Sequence, residues 1–281
     1  MPEGLTAVGT GLEAQTQRVD GVLALHRWRL DQPMPAYVYG FAVGRLHSAS
    51  ARAAGVDLDF HSSELDSAQL QRVFADTGDM LRFFEARSGL RFDHKRYSQV
   101  LVSDTIGQEL AGMSLLSEEY GRDVLADRSE EGLIAHELAH QWWGNRITCR
   151  DWGHFWLNEA FANFMTAAYL QRRFGDKLYL EKIEAWRLRL EKLRAEGKDH
   201  ALVYEQWHPT RDDRAVVYQK GAYVLHLLRQ ELGEKAFWRG IRAYSRAHDG
   251  KPVATIDFQR AMERASGRDL ETFFRRWVLA S

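Results

Sequence analysis

Apolar positions change their period partway along this chain of 281 residues. In the first third, the stretches VLALHRWRL (22–30), YVYGFAVGRL (37–46) and GVDLDFHS (55–62) set β-branched and aromatic residues at roughly alternating places, the period of a half-buried strand. Residues 67–87 read as an amphipathic helix with Leu70, Val73, Phe74, Met80, Leu81 and Phe84 on its apolar side and Gly78 as a weak point. Further strands are expected at Ser98–Ser103 and around Ala111–Tyr120. Beyond that the pattern is helical almost to the end. Gly144, Gly175, Gly233 and Gly267 each follow an apolar-periodic run and read as helix stops. Strands first and helices second predict an α+β chain with two lobes and a cleft between them.

One helix stands out from this pattern. LIAHELAHQWWGN (133–145) follows Asp127-Arg-Ser-Glu130, which offers a capping box, so a helix is expected from about Ser129 to Trp143. His136 and His140 are one turn apart and project from one face, where both imidazoles can hold a single ion. Glu137 lies about 100° round the axis, badly placed as a third ligand but able to reach a water on the metal. A catalytic zinc needs a third protein ligand and one open position. Glu159, on a second apolar helix after a loop long enough to turn the chain back, is the candidate. A carboxylate among Trp156, Leu157, Phe161 and Phe164 needs a partner, which weighs against an accidental match.

These residues, HELAHQWWGN followed by WLNEAF, resemble the gluzincin aminopeptidase family, relatives of alanyl aminopeptidase and leukotriene hydrolase. VVYQKGAYVL is similar to that family's Tyr-x-Lys-Gly segment, and DFQRAMERASGRDLETFFRRW to the end of its catalytic domain. DQPMPAYVYGFAVG resembles the last strands of the β-rich domain that precedes it. The resemblance implies a thermolysin-like zinc peptidase domain at 49–281, with a sheet lobe at about 49–126 and a helical lobe at about 127–281. Residues 1–48 would be the terminal strands of a truncated N-terminal domain. It implies one zinc ion on His136, His140 and Glu159, with Glu137 as general base and Tyr218 as hydrogen-bond donor to the developing oxyanion. The family reads a free α-amine with the glutamate of a Gly-Ala-Met-Glu-Asn strand. Ala111, Gly112, Met113 and Ser114 are matched to it here as substrate-binding residues, so a serine takes the carboxylate's place, with Glu118 and Glu119 a few residues on. Thr166 stands where relatives often orient a zinc histidine with a carboxylate.

Composition narrows the alternatives. A net charge of -1 gives no electrostatic case for nucleic acid or an anionic membrane as partner. No apolar run approaches a membrane span, and the N-terminus lacks the basic start and apolar core of a signal peptide. A single cysteine, Cys149, excludes an internal disulfide. These features suit a cytoplasmic protein, and equally a domain of a longer secreted or anchored chain with further domains as partners. His154 and Cys149 read as a polar loop residue and a small apolar one, not as a second metal site. Three functions remain: a zinc peptidase acting at peptide N-termini, a zinc endopeptidase or other hydrolase made possible by Ser114, and a silent zinc-binding scaffold. Intact Glu137 and Tyr218 argue against the scaffold, which has no use for a base.

Overall fold

The computed structural model describes every residue except Glu3, Asp20, Gly21 and Ser281. Two compact units divide the chain: Met1–Arg82 with Phe92–Gln141, and Phe83–Arg91 with Trp142–Ser281.

The first unit is built on a five-stranded mixed sheet. Before it come β1 (Thr6–Gly9), β2 (Leu12–Val19), β3 (Leu23–Arg29) and β4 (Phe41–Gly44), with β1 antiparallel to β4 and β2 antiparallel to β3. The sheet itself contains β5 (His47–Ala53), β6 (Val56–Ser62), β7 (Arg96–Val102), β8 (Gly107–Leu110) and β9 (Met113–Ser117), in the order β5-β6-β7-β9-β8. Strands β6, β7 and β9 run parallel, and the outer pairs are antiparallel. Central β7 is buried over five consecutive residues, as a strand covered on both faces must be. The single helix predicted over 67–87 is two: α1 (Ser67–Val73) and α2 (Thr77–Ser88). Asp66 and Gln69 form a capping box that starts α1. Strand β8 has no counterpart among the strands expected from the sequence, the nearest of which was to begin around Ala111. A two-residue turn at Ala111-Gly112, with Gly112 at φ 71°, instead folds β8 back on β9. This unit ends in α3 (Glu118–Ala126) and α4 (Gly132–Ala139).

The second unit is helical. After β10 (Thr148–Cys149) it holds α5 (Trp156–Phe174), α6 (Asp176–Ala195), a short α7 (Arg211–Arg214) and α8 (Gly221–Ala247). Strand β11 (Pro252–Val253) pairs with β10, and α9 (Thr255–Ser266) and α10 (Glu271–Trp277) close the chain. Helix α5 is buried on every face from Trp156 to Leu170 except at Asn163, which marks it as the central helix of this unit. Phe161 packs on Trp143, Trp156, Tyr244 and Phe258. The end of α2 belongs here because Arg87 stacks between Phe83 and Trp238. Gly233, at φ 74°, breaks α8 where a stop was expected. Among the described residues no helix is long and apolar enough to cross a membrane.

Candidate active site

In the first unit, α4 begins later than its sequence suggests. Asp127 caps a short 3-10 turn, Arg128–Glu130, by accepting from the Ser129 backbone, and α4 proper starts at Gly132. Its exposed N–H groups find a partner no capping motif announces. The Tyr120 hydroxyl accepts from Leu133 N at 3.0 Å and Ile134 N at 3.1 Å, and donates to the Glu130 carbonyl at 2.7 Å. The helix so anchored holds His136, Glu137 and His140 at 9%, 4% and 1% exposure.

The Nε2 atoms of His136 and His140 lie 3.0 Å apart. Two imidazoles on one tetrahedral zinc would hold these atoms about 3.3 Å apart, from Zn–N bonds of about 2.05 Å. The pair therefore fits a shared ion with almost no movement.

Edge strand β8 passes beside this pair. Glu109 is buried, and its carboxylate offers a donor atom within 4.8 Å of those of Glu137 and His140. Gln108 Nε2 donates to Glu109 Oε2 at 2.8 Å. The β8 backbone runs so near Glu137 that a Cβ at Gly107 would stand 2.5 Å from its Oε1. Gln141, one residue past the second histidine, clamps the hairpin to the helix. Its Oε1 accepts from Gly112 N, its Nε2 donates to the Leu110 carbonyl, both at 2.9 Å, and the side chain is 2% exposed.

The predicted substrate strand is placed differently from the expectation. Ala111 and Gly112 form the turn, while Met113 and Ser114 lie on β9, both at 0% exposure, with Ser114 beside the buried Tyr97 phenol. Ser114 faces Glu109 directly across the ladder. Reading Ile106-Gly-Gln-Glu109-Leu110 against Gly-Ala-Met-Glu-Asn, five residues earlier than the first match, would have found this carboxylate; the Ala-Gly turn was the available signal. Neither glutamate named as a substitute is suited to the task. Glu118 is held by Ser62 Oγ at 2.7 Å and by Ser63 N at 2.9 Å, and Glu119 is exposed on α3.

In the second unit, Glu159 lies in the first turn of α5 at 3% exposure. Thr166, two turns on, donates its hydroxyl proton to the Ala162 carbonyl at 2.8 Å, a bond within its own helix. Tyr218 is half-buried in a π-turn, Ala215–Lys220, with its ring edge-on to Phe155. Trp142, Trp143 and Trp156 are fully buried core residues, whereas Trp152 is 51% exposed. His154 is occupied with Thr255, whose Oγ1 is 2.9 Å from its Nδ1. Burial pushes the Cys149 thiol up to about 12, which removes it as a neutral-pH nucleophile.

The model of the peptidase family M1 domain matches residues 73–277. Aminopeptidase N of Lactococcus lactis subsp. lactis is 34% identical over 87% of this chain and 31% of its own length. Aminopeptidase N of Escherichia coli is 28% identical over 91% and 31%. The chain thus spans about a third of the length of these curated relatives. Among solved structures, an M1 zinc metallopeptidase from Deinococcus radiodurans superposes on 99% of this chain and 62% of its own, with TM-score 0.82 and 25% identity. A mutant of it has been solved bound to a Tyr-Ser-Ala substrate, with TM-score 0.80.

Proposed function

The chain belongs to peptidase family M1, and from that premise we propose that it is a zinc-dependent aminopeptidase that removes residues from the free N-terminus of a peptide. What carries this reading is one buried cluster: Glu109, Glu137 and His140 offer donor atoms within 4.8 Å of one another. A hydrolase acting at a free amine needs all three kinds of group there: a metal ligand, a base and an anion for the ammonium.

His136, His140 and, from the second unit, Glu159 would hold the zinc, a donor set typical of catalytic zinc sites with one position left open. When bound, zinc there supplies Lewis acidity, acidifying a water molecule and polarising the scissile carbonyl. Glu137 takes the proton of the attacking water and passes it to the leaving nitrogen. Burial makes it an effective base, since little solvent competes for its carboxylate. Glu109 binds the substrate's α-ammonium with a charge-assisted hydrogen bond, which places the first peptide carbonyl next to Glu137. Tyr218 donates to the oxyanion as charge develops on it. The tripeptide seen on the Deinococcus radiodurans relative is the class of substrate this arrangement suits.

The endopeptidase alternative rested on Ser114 as the amine-reading position. Glu109, on the facing strand, supplies the missing charge, and the motive for that alternative goes with it. The proposal is tested by chelation. Hydrolysis of a free tripeptide should stop when the metal is stripped and return with stoichiometric zinc. Turnover that persists in metal-free protein would overturn it.

A further inference from the structure

Tyr218 sits in a π-turn between α7 and α8, where an ordinary α-helix could have run straight through. Such turns insert a residue, are rare, and swing the following side chains round the axis. Backbone of this kind persists only where its surroundings hold it.

Three contacts in the second unit do so. Asn163 Nδ2 donates to the Tyr218 carbonyl at 3.0 Å. Lys220, the last residue of the turn, is a lysine at 1% exposure whose Nζ donates to Asp199 Oδ1 at 2.6 Å and to the His200 carbonyl at 2.5 Å. Asp199 is held in turn by Arg194 Nε at 3.0 Å. A buried ammonium is tolerated only with such partners, so this pair fixes one end of the turn to the loop after α6. Gly221, next in the chain, lies so near α5 that a Cβ on it would stand 2.5 Å from the Ala160 Cβ. Within α5, Glu159 and Asn163 are four residues apart and so share a face. The helix that carries the third zinc ligand of the proposed site also grips the backbone of the tyrosine.

We propose that Asn163 and Lys220 are positioning residues for Tyr218: they hold the π-turn in the one setting that aims its hydroxyl at the oxyanion. The inference rests on the reading of Tyr218 as oxyanion donor. Neither residue touches substrate; both act through the tyrosine's backbone. A misplacement of about 1 Å at a catalytic group can cost about 10²-fold in rate, so loosening one of two anchors should cost about tenfold.

A double-mutant cycle tests this. Steady-state kinetics on one free tripeptide are measured for wild type, Asn163→Ala, Tyr218→Phe and the double variant, with zinc content and melting temperature checked for each. Asn163→Ala should lower kcat about tenfold with KM within about twofold, and should change kcat less than about twofold once Tyr218 is Phe. Lys220→Met should behave alike, and Lys220→Arg, which keeps the charge, should recover most of the rate. Should Lys220→Met fail to fold, the Asn163 cycle decides alone. Equal losses in both backgrounds, or a wild-type kcat in Asn163→Ala, would overturn the positioning role while leaving Tyr218's role standing. A wild-type kcat in Tyr218→Phe would remove the oxyanion assignment and this inference with it.

Discussion

Glu109 and Ser114 face each other across the β8–β9 ladder, the carboxylate on the edge strand and the hydroxyl on the strand inside it. The Glu109 carboxylate offers an oxygen within 4.8 Å of the donor atoms of Glu137 and His140, and the neutral Ser114 hydroxyl brings no charge to pair with an ammonium. Replacing Glu109 with Gln should therefore lower kcat/KM for a free-amine peptide by about 10²-fold, the usual cost of truncating a buried charge pair. Ser114→Ala should change the same constant less than about threefold. Equal effects of the two substitutions would return the amine-reading role to β9.

Glu137→Gln removes the proposed base and leaves both histidines. Zinc content by mass spectrometry or atomic absorption should match wild type, while kcat falls by about 10²–10⁴-fold. Substantial turnover in this variant would contradict the general-base role.

Tyr218→Phe removes one hydroxyl. The expected outcome is a kcat lower by about 10²–10³-fold with KM nearly constant, since the donor acts only once charge develops on the oxygen. A change confined to KM would make Tyr218 a ground-state contact.

Tyr120 is a structural prediction. Tyr120→Phe leaves the Leu133 and Ile134 N–H groups at the head of α4 without their acceptor. The loss should be about 1–2 kcal/mol, as for other helix caps, seen as a melting temperature lower by several degrees. An unchanged melting temperature would mean that water replaces the phenol at no cost.

His226 sets an acid limit on stability. It is 8% exposed, its Nδ1 is 2.7 Å from the Tyr179 hydroxyl, and burial, aided by the Arg229 charge, pushes its pKa down to about 4. The unfolded imidazole titrates near 6.5, so between about 6.5 and about 4 the unfolded chain binds the extra proton. Stability contributed by neutral His226 is thus complete above that window and lost as pH falls through it. The span is worth at most about 3 kcal/mol. His226→Gln should flatten the fall in melting temperature between pH 7 and pH 4.5; an undiminished fall would assign it to other groups.

Much of this was legible before the fold. His136, Glu137 and His140 follow from a one-turn spacing that any helix must honour, and the switch from period 2 to period 3.6 marked sheet and helices. Two things were not legible, for different reasons. The four-residue strand β8 is too short to show alternation, and its hairpin turn was read as strand, so Glu109 stayed hidden behind a match to Ser114. Tyr120 and Gln141 act on backbone groups 10 or more residues away, and such pairings leave no local pattern. The π-turn at Tyr218 likewise depends on Asn163 and Asp199, each supplied by a different part of the helical unit.

The proposed aminopeptidase activity requires a site that reads a free amine and cleaves the bond next to it. The most direct measurement is hydrolysis of one tripeptide by the zinc-loaded protein, with its N-terminus free and with it acetylated. Cleavage after the first residue is expected, with a kcat/KM for the free peptide higher by about 10²-fold or more. Equal or faster cleavage of the acetylated peptide would contradict it.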